Sequence, residues 1–223
     1  MSPSPENAAL SGRYENGWVA INRLIREGGT WSGHEHNVLY WNLWDGKFSD
    51  VGALAGLDFS EDGRAFATFD FDQDGDLDLV LKSRNSPQLR LLRNDLPNGH
   101  HAVAFRLRGN KGNRDAVGAR LVLETAGRRL SKTVRSGSGF LSQPTRTVYF
   151  GLGEDRAIRS LTVYWPAGQA QTYTGLPADH LVELTEGQTD FRSLPFGPRS
   201  RPSPPEPPAA LTGRAPAPQT PSS

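Results

Sequence analysis

The sequence predicts an all-β protein, and three observations carry the prediction. Apolar residues recur at every second position through residues 99–190, as in Val103, Phe105 and Leu107, which is the period of a strand with one buried face. Turn chemistry interrupts those runs at short intervals, with Asp45-Gly46 and Pro97-Asn98-Gly99 among the breaks. Between two strand-like runs lie five aspartates in nine residues, Asp70, Asp72, Asp74, Asp76 and Asp78 in the stretch FDFDQDGDLDLVL.

In chain order, an N-terminal segment, 1–36, comes first. Tyr14, Trp18, Ile21 and Ile25 share one face at helical spacing and Gly28-Gly29 ends the run, so this segment holds a short amphipathic helix that caps other structure. A second unit, 37–98, opens with a hairpin of Val38–Leu43 and Phe48–Val51 about Asp45-Gly46. It continues with a strand over 65–69, the acidic loop, a strand over 77–81 and another over 88–94. The third unit, 99–190, reads as seven short strands with Gly-rich turns, a small antiparallel β-sandwich or barrel. From residue 191 the chain becomes rich in Pro, Ser and Ala, a composition that cannot bury enough apolar surface to offset the entropy of ordering. The segment 191–223 is expected to be a disordered tail.

The acidic loop is the feature that carries chemistry. Crowded carboxylates raise the cost of ionising one another, and a hard divalent cation reverses the sign of that effect. Calcium takes about six to eight oxygen ligands at about 2.3–2.6 Å, which an alternating Asp-x-Asp-x-Asp-Gly loop can supply from one turn. The spacing assigns side-chain oxygens to Asp70, Asp72, Asp74 and Asp78 and a backbone carbonyl to Asp76, with Gly75 permitting the bend. An EF-hand is excluded, because its twelfth position requires Glu and counting from Asp70 that position is Leu81. The flanks are strand-like rather than helical.

Composition excludes several classes. No cysteine is present, so disulfides and thiolate metal sites are impossible. MSPSPENAAL lacks a basic region followed by an apolar stretch, so no signal peptide is visible, and no apolar run approaches the length needed to span a bilayer. The net charge of +1 conceals an asymmetry: residues 41–80 carry ten acidic and two basic side chains, residues 101–150 ten basic and two acidic. The basic residues are not interleaved with aromatics or placed on a helix-turn-helix pattern, which argues against nucleic acid. P-loop and dinucleotide fingerprints are absent. Gly-x-Ser-x-Gly fails at Ser138, because Ser136 stands where the first glycine belongs. His34 and His36 lack an identifiable third metal ligand, and His100-His101 reads as polar surface at a turn. Trp41 and Trp44, three apart, cannot both point inward from one regular strand, and the pair is the candidate contact surface.

Family resemblance adds to this reading. The strand–acidic loop–strand unit resembles the FG-GAP/VCBS repeat, one blade of a β-propeller. The segments Asn113–Arg120, Arg135–Gln143, Phe150-Gly151-Leu152-Gly153 and Val163–Gly168, in that order, resemble the ASPIC/UnbV domain that follows such repeats in the cartilage acidic protein family. The stretch Asn37–Phe48 with Ala55-Gly56-Leu57 resembles the approach to the last calcium loop in those proteins. The resemblance implies partial propeller blades followed by a β domain, in exported proteins, extracellular or periplasmic, that make adhesion, matrix or polysaccharide contacts. One calcium repeat is fewer than the four to eight or so blades that close a ring. A C-terminal fragment, a misplaced start, and a minimal version with its helix over an open edge all fit that departure.

The expected function is therefore a non-enzymatic, calcium-binding β-rich module for protein or glycan contact, with calcium structural. Two alternatives stand beside it. One is an accessory protein or enzyme of a biosynthetic pathway, which rests on fold-level analogy. The other is an anionic-polymer binder acting through Arg106, Arg108, Lys111, Arg128, Arg129 and Lys132.

Overall fold

Alternating burial along residues 99–198 becomes a two-sheet sandwich. The computed structural model describes residues 16–23, 26–27, 36–84, 86–96 and 99–198. Among the described residues it contains thirteen strands in four sheets. No helix among them is long and apolar enough to cross a membrane.

The first strands, β1 (Tyr40–Asn42) and β2 (Phe48–Asp50), form a hairpin in the register Tyr40↔Asp50. Its turn uses Gly46 at φ +84°, and Asp45 Oδ1 accepts a hydrogen bond from the Lys47 N–H at 3.0 Å, the local closure that makes Asp-Gly a hairpin signal. Next come β3 (Gly63–Phe69), β4 (Asp78–Ser83) and β5 (Leu89–Leu92), an antiparallel three-stranded sheet in the order β3-β4-β5. The acidic loop joins β3 to β4, and the pair Phe69↔Asp78 closes its neck.

The remaining strands are β6 (His101–Arg108), β7 (Arg120–Thr125), β8 (Arg129–Thr133), β9 (Val148–Gly153), β10 (Ile158–Tyr164), β11 (Ala170–Tyr173), β12 (His180–Thr185) and β13 (Phe191–Pro195). They form two four-stranded sheets, β11-β10-β7-β8 and β13-β12-β6-β9. Both sheets contribute inward residues to one core: Val103, Phe105 and Phe150 from one, Leu121, Leu161 and Val163 from the other. Phe105 and Phe150 meet edge to face with centroids 5.9 Å apart. Burying each such side chain contributes about 1.5–3 kcal/mol, so this core is the principal source of stability. Trp165, just past β10, is buried in it.

The all-β class and the sandwich are as the sequence implied, and the differences are instructive. The sheets do not close into a barrel, and the sandwich is not wholly antiparallel: β12 pairs with β6 in parallel, Leu181 opposite Ala104. An eighth strand, β13, occupies residues that composition assigned to the tail. It is an edge strand whose side chains, Phe191 apart, are exposed, so little apolar pattern marks it; the chain beyond residue 198 lies outside the described residues. Helix is present over residues 16–23, with Trp18 half exposed, while Tyr14, Ile25 and Gly28-Gly29 lie outside the described residues. Trp41 and Trp44 are both exposed, at 60% and 88%, so the hairpin keeps neither indole inside.

Candidate metal centre

The acidic loop folds back on itself because its carboxylates accept its own backbone N–H groups. Asp70 Oδ1 accepts from the Asp74 N–H at 3.1 Å and Asp70 Oδ2 from the Gly75 N–H at 3.0 Å. Asp78, at the other end of the loop, is fully buried and accepts from Phe71 N at 2.6 Å through Oδ2 and from Asn94 N at 2.8 Å through Oδ1. The sharp bend requires left-handed backbone at Gln73 (φ +62°) and Gly75 (φ +93°), a region that glycine enters without the Cβ penalty.

Three carboxylates converge. Ligand oxygens of Asp70, Asp72 and Asp78 lie within 4.8 Å of one another. Asp74 and Asp76 are not in that group. Asp74 is buried and its Oδ1 accepts from the Asp76 N–H at 2.9 Å, a bracing turn inside the loop, while Asp76 is half-buried. The five aspartates singled out by spacing thus divide into three convergent groups and two that shape the turn.

Asp72 differs from its neighbours. Both of its carboxylate oxygens are buried and neither has a hydrogen-bond partner. Arg93 Nε stands 3.8 Å from Asp72 Oδ2 and is held more closely by Asp95, at 2.9 Å. A buried carboxylate without donors is costly, and its natural partner is a cation on the shared side of Asp70 and Asp78. The donor set is all oxygen, the preference of calcium and magnesium rather than of softer metals. The residues present therefore fit a hard divalent cation.

Electrostatics agree. Burial pushes the Asp70 carboxyl above the ordinary carboxylate range, opposed by the Gly75 N–H and reinforced by the Asp74 charge. Across from it, burial raises the Tyr149 phenol far above its usual value, with the Asp70 charge adding to the shift. Tyr149 is therefore a permanent donor, and its hydroxyl reaches Asp70 Oδ2 at 3.3 Å.

Sequence reasoning missed the residues that hold the loop against the sandwich. The Gly197 N–H donates to Gln73 O at 2.7 Å, and the Phe196 N–H to Asp179 O at 2.9 Å. The Phe196 ring lies over Gly75 so closely that a Cβ there would fall 2.3 Å from ring carbon Cδ2. Only the pairing of β13 brings residues 196 and 197 to this place, and no local pattern announces it. His101 is a second correction. Rather than polar surface at a turn, it begins β6, its Nδ1 lies 2.6 Å from Asp179 Oδ2, and its Nε2 accepts from Arg156 Nε at 2.8 Å. With Nε2 accepting, the proton sits on Nδ1 and donates to Asp179. His36 Nδ1 lies 2.6 Å from Asp58 O, and His34 lies outside the described residues.

With the geometry in place, comparison with known families is direct. Residues 26–81 match the FG-GAP-like repeat and residues 109–190 match the ASPIC and UnbV domain. Among curated proteins none matches the chain. The repeat match ends at Leu81, inside β4, and so contains the whole aspartate loop. The domain match begins just after β6 and ends just before β13, so it takes in β7 to β12, most of the sandwich.

Proposed function

We propose that this chain, an FG-GAP-like repeat followed by an ASPIC and UnbV domain, is a non-enzymatic calcium-binding module that presents a surface to a protein or glycan. The observation that carries the reading is Asp72, whose two buried oxygens lack a donor beside two further carboxylates. Asp70, Asp72 and Asp78 would hold the ion through their carboxylates, and the Asp76 backbone carbonyl, assigned from spacing, would add a fourth ligand. Asp74 serves the same end by bracing the turn. Bound calcium supplies positive charge that offsets the mutual repulsion of these groups. Around it the chain's own residues do the rest: Gly75 and Gln73 set the bend, Phe196 covers it, and Tyr149 ties it to β9.

A structural role follows from the location. The loop neck is continuous with β3 and β4, so ordering it orders the three-stranded sheet. The two domain types suit an exported protein, extracellular or periplasmic, and a contact role there.

Thermal melting in excess EDTA, then in millimolar calcium, with magnesium as control, tests the reading. A ligand that binds only the folded state stabilises by about 2.7 kcal/mol at a hundredfold excess over Kd. A calcium-specific rise in Tm that disappears in Asp72→Asn is expected. A cooperative melt unaffected by calcium would overturn the metal reading.

A further inference from the structure

We propose that the cleft between the three-stranded sheet and the sandwich binds an acidic oligosaccharide, with Arg108 and Arg114 holding its carboxylate or sulfate groups. This rests on the contact reading above, and gives it a place and a ligand class.

The cleft has a volume of about 1020 Å³. Its floor is the outer face of β6 and β12. Val103, Phe105 and Leu107 of β6 point into the core, so Arg106 and Arg108 point away from it, and both are exposed. The parallel register sets Glu183 beside Arg106 and Thr185 beside Arg108. One wall is β3, and the other is formed by residues 143–147, joined to β3 where the Thr145 N–H donates to Thr68 O at 3.1 Å.

Charge singles out two side chains. Four arginines line the cleft, and two already have carboxylate partners: Arg106 with Glu183 at 3.0 Å and Arg146 with Asp115 at 2.5 Å. The guanidinium groups of Arg108 and Arg114 have no hydrogen-bond or ion-pair partner among the described residues. Most of the other basic residues of the stretch are engaged. Lys111 reaches Gln169 at 3.2 Å, Arg129 reaches Glu124 at 3.5 Å, Lys132 donates to Tyr149 O at 2.6 Å, and Arg128 donates to Leu152 O. The basic side chains of the stretch thus differ in how far they are already paired. Arg108 and Arg114 bring two uncommitted guanidinium forks into this cleft, while Arg135 lies outside it, and such forks match carboxylate and sulfate oxygens in bidentate fashion.

The walls select the kind of acid. β6 and β12 are interior strands of their sheet, with backbone groups paired on both sides, so an acidic peptide cannot add to this floor as a strand. Recognition falls to side chains. Thr68, Thr145, Thr147 and Thr185 offer hydroxyls and Gln143 an amide, groups that both donate and accept and so suit sugar hydroxyls.

The test uses the full chain in isothermal titration against a heparin-derived hexasaccharide, hexagalacturonate and hexaglutamate at about 50 mM and about 200 mM salt. At least one of the two oligosaccharides should bind more tightly than hexaglutamate and weaken steeply with salt. Arg108→Gln/Arg114→Gln should weaken that binding by about tenfold or more. Arg120→Gln/Arg129→Gln, which removes equal charge from the other sheet, should leave it within about twofold. Equal losses in the two double variants would reduce the effect to diffuse attraction and overturn the cleft. Oligosaccharide binding untouched by Arg108→Gln/Arg114→Gln would also overturn the cleft while leaving the contact reading intact. Hexaglutamate binding as tightly as the sugars would overturn the ligand class, and no binding of either oligosaccharide would overturn the proposal outright. Melting with calcium reports separately on the metal reading.

Discussion

Tyr149 in β9 and Asp70 in the acidic loop are 79 positions apart, and the tyrosine hydroxyl joins them by a 3.3 Å hydrogen bond to Asp70 Oδ2. The sandwich thereby touches the candidate metal site directly. Because burial and the Asp70 charge hold the phenol far above its usual pKa, the bond is donated at every accessible pH. Tyr149→Phe should destabilise the metal-free protein by about 0.5–1.5 kcal/mol, which is about 1–6 °C in Tm for a chain of this size. Scanning calorimetry in EDTA checks it, and an unchanged Tm would mean that the contact is not formed in solution.

Asp72→Asn should act in opposite directions according to calcium. In EDTA it removes a buried charge that has no hydrogen-bond donor, so stability should hold or rise. In millimolar calcium the variant should lose the ion-induced rise in Tm. Asp74→Ala, which removes the acceptor of the Asp76 N–H instead, should lower Tm even in EDTA. Paired melts of the two variants separate these roles.

Gly75→Ala should be costly for two reasons. A φ of +93° is unfavourable for alanine, and its Cβ would fall 2.3 Å from the Phe196 ring. The strain is expected to cost more than about 1 kcal/mol and to free the Gly197 amide from Gln73. Hydrogen exchange at Gly197 reads that release. In the double variant with Phe196→Ala, the steric part of the penalty should vanish and the backbone part remain, as a double-mutant cycle will show.

Glu186 gives a pH-dependent prediction. Its Oε2 accepts from the Asn110 and Lys111 N–H groups at 2.8 and 2.9 Å, and the Lys111 N–H, followed by that of Asn110, holds the carboxyl below its ordinary range. A depressed folded-state pKa means stability that is fully present above the unfolded value, about 4.3, and lost as pH falls through the folded one. Glu186→Gln should therefore be less stable than the parent at pH 7, with the gap closing below about pH 4. Urea melts across that range would refute the linkage if the gap stayed constant.

What the sequence made legible follows from the range of each signal. Strand period and turn residues are local, so β3, β4 and β6 stand close to their expected places, and the aspartate spacing located the loop. Which carboxylates converge is a matter of backbone direction over single residues: Asp74 follows the same alternation as Asp72 yet turns its Oδ1 to the Asp76 N–H. The parallel pairing of β6 with β12 depends on residues 77 apart, beyond any local pattern. Phe196 was hidden by its neighbourhood, since a short exposed edge strand beside a Pro-rich stretch has the composition of a tail. The partners of Arg106 and Arg129 were equally invisible, which is why six basic residues between Arg106 and Lys132 could look like one binding face.

The parallel pair also has a consequence for the order of synthesis. β6 is the first sandwich strand to be made, and one of its two neighbours, β12, follows some 77 residues later. Until then the nascent chain carries β6 with a bare hydrogen-bonding edge and with Phe105 and Ala104 lacking their final cover. Such an edge is a template for wrong pairing, and closing so long a loop is slow. A ribosome stalled before β12 emerges would thus hold a chain whose three-stranded sheet is fully translated while its sandwich cannot close.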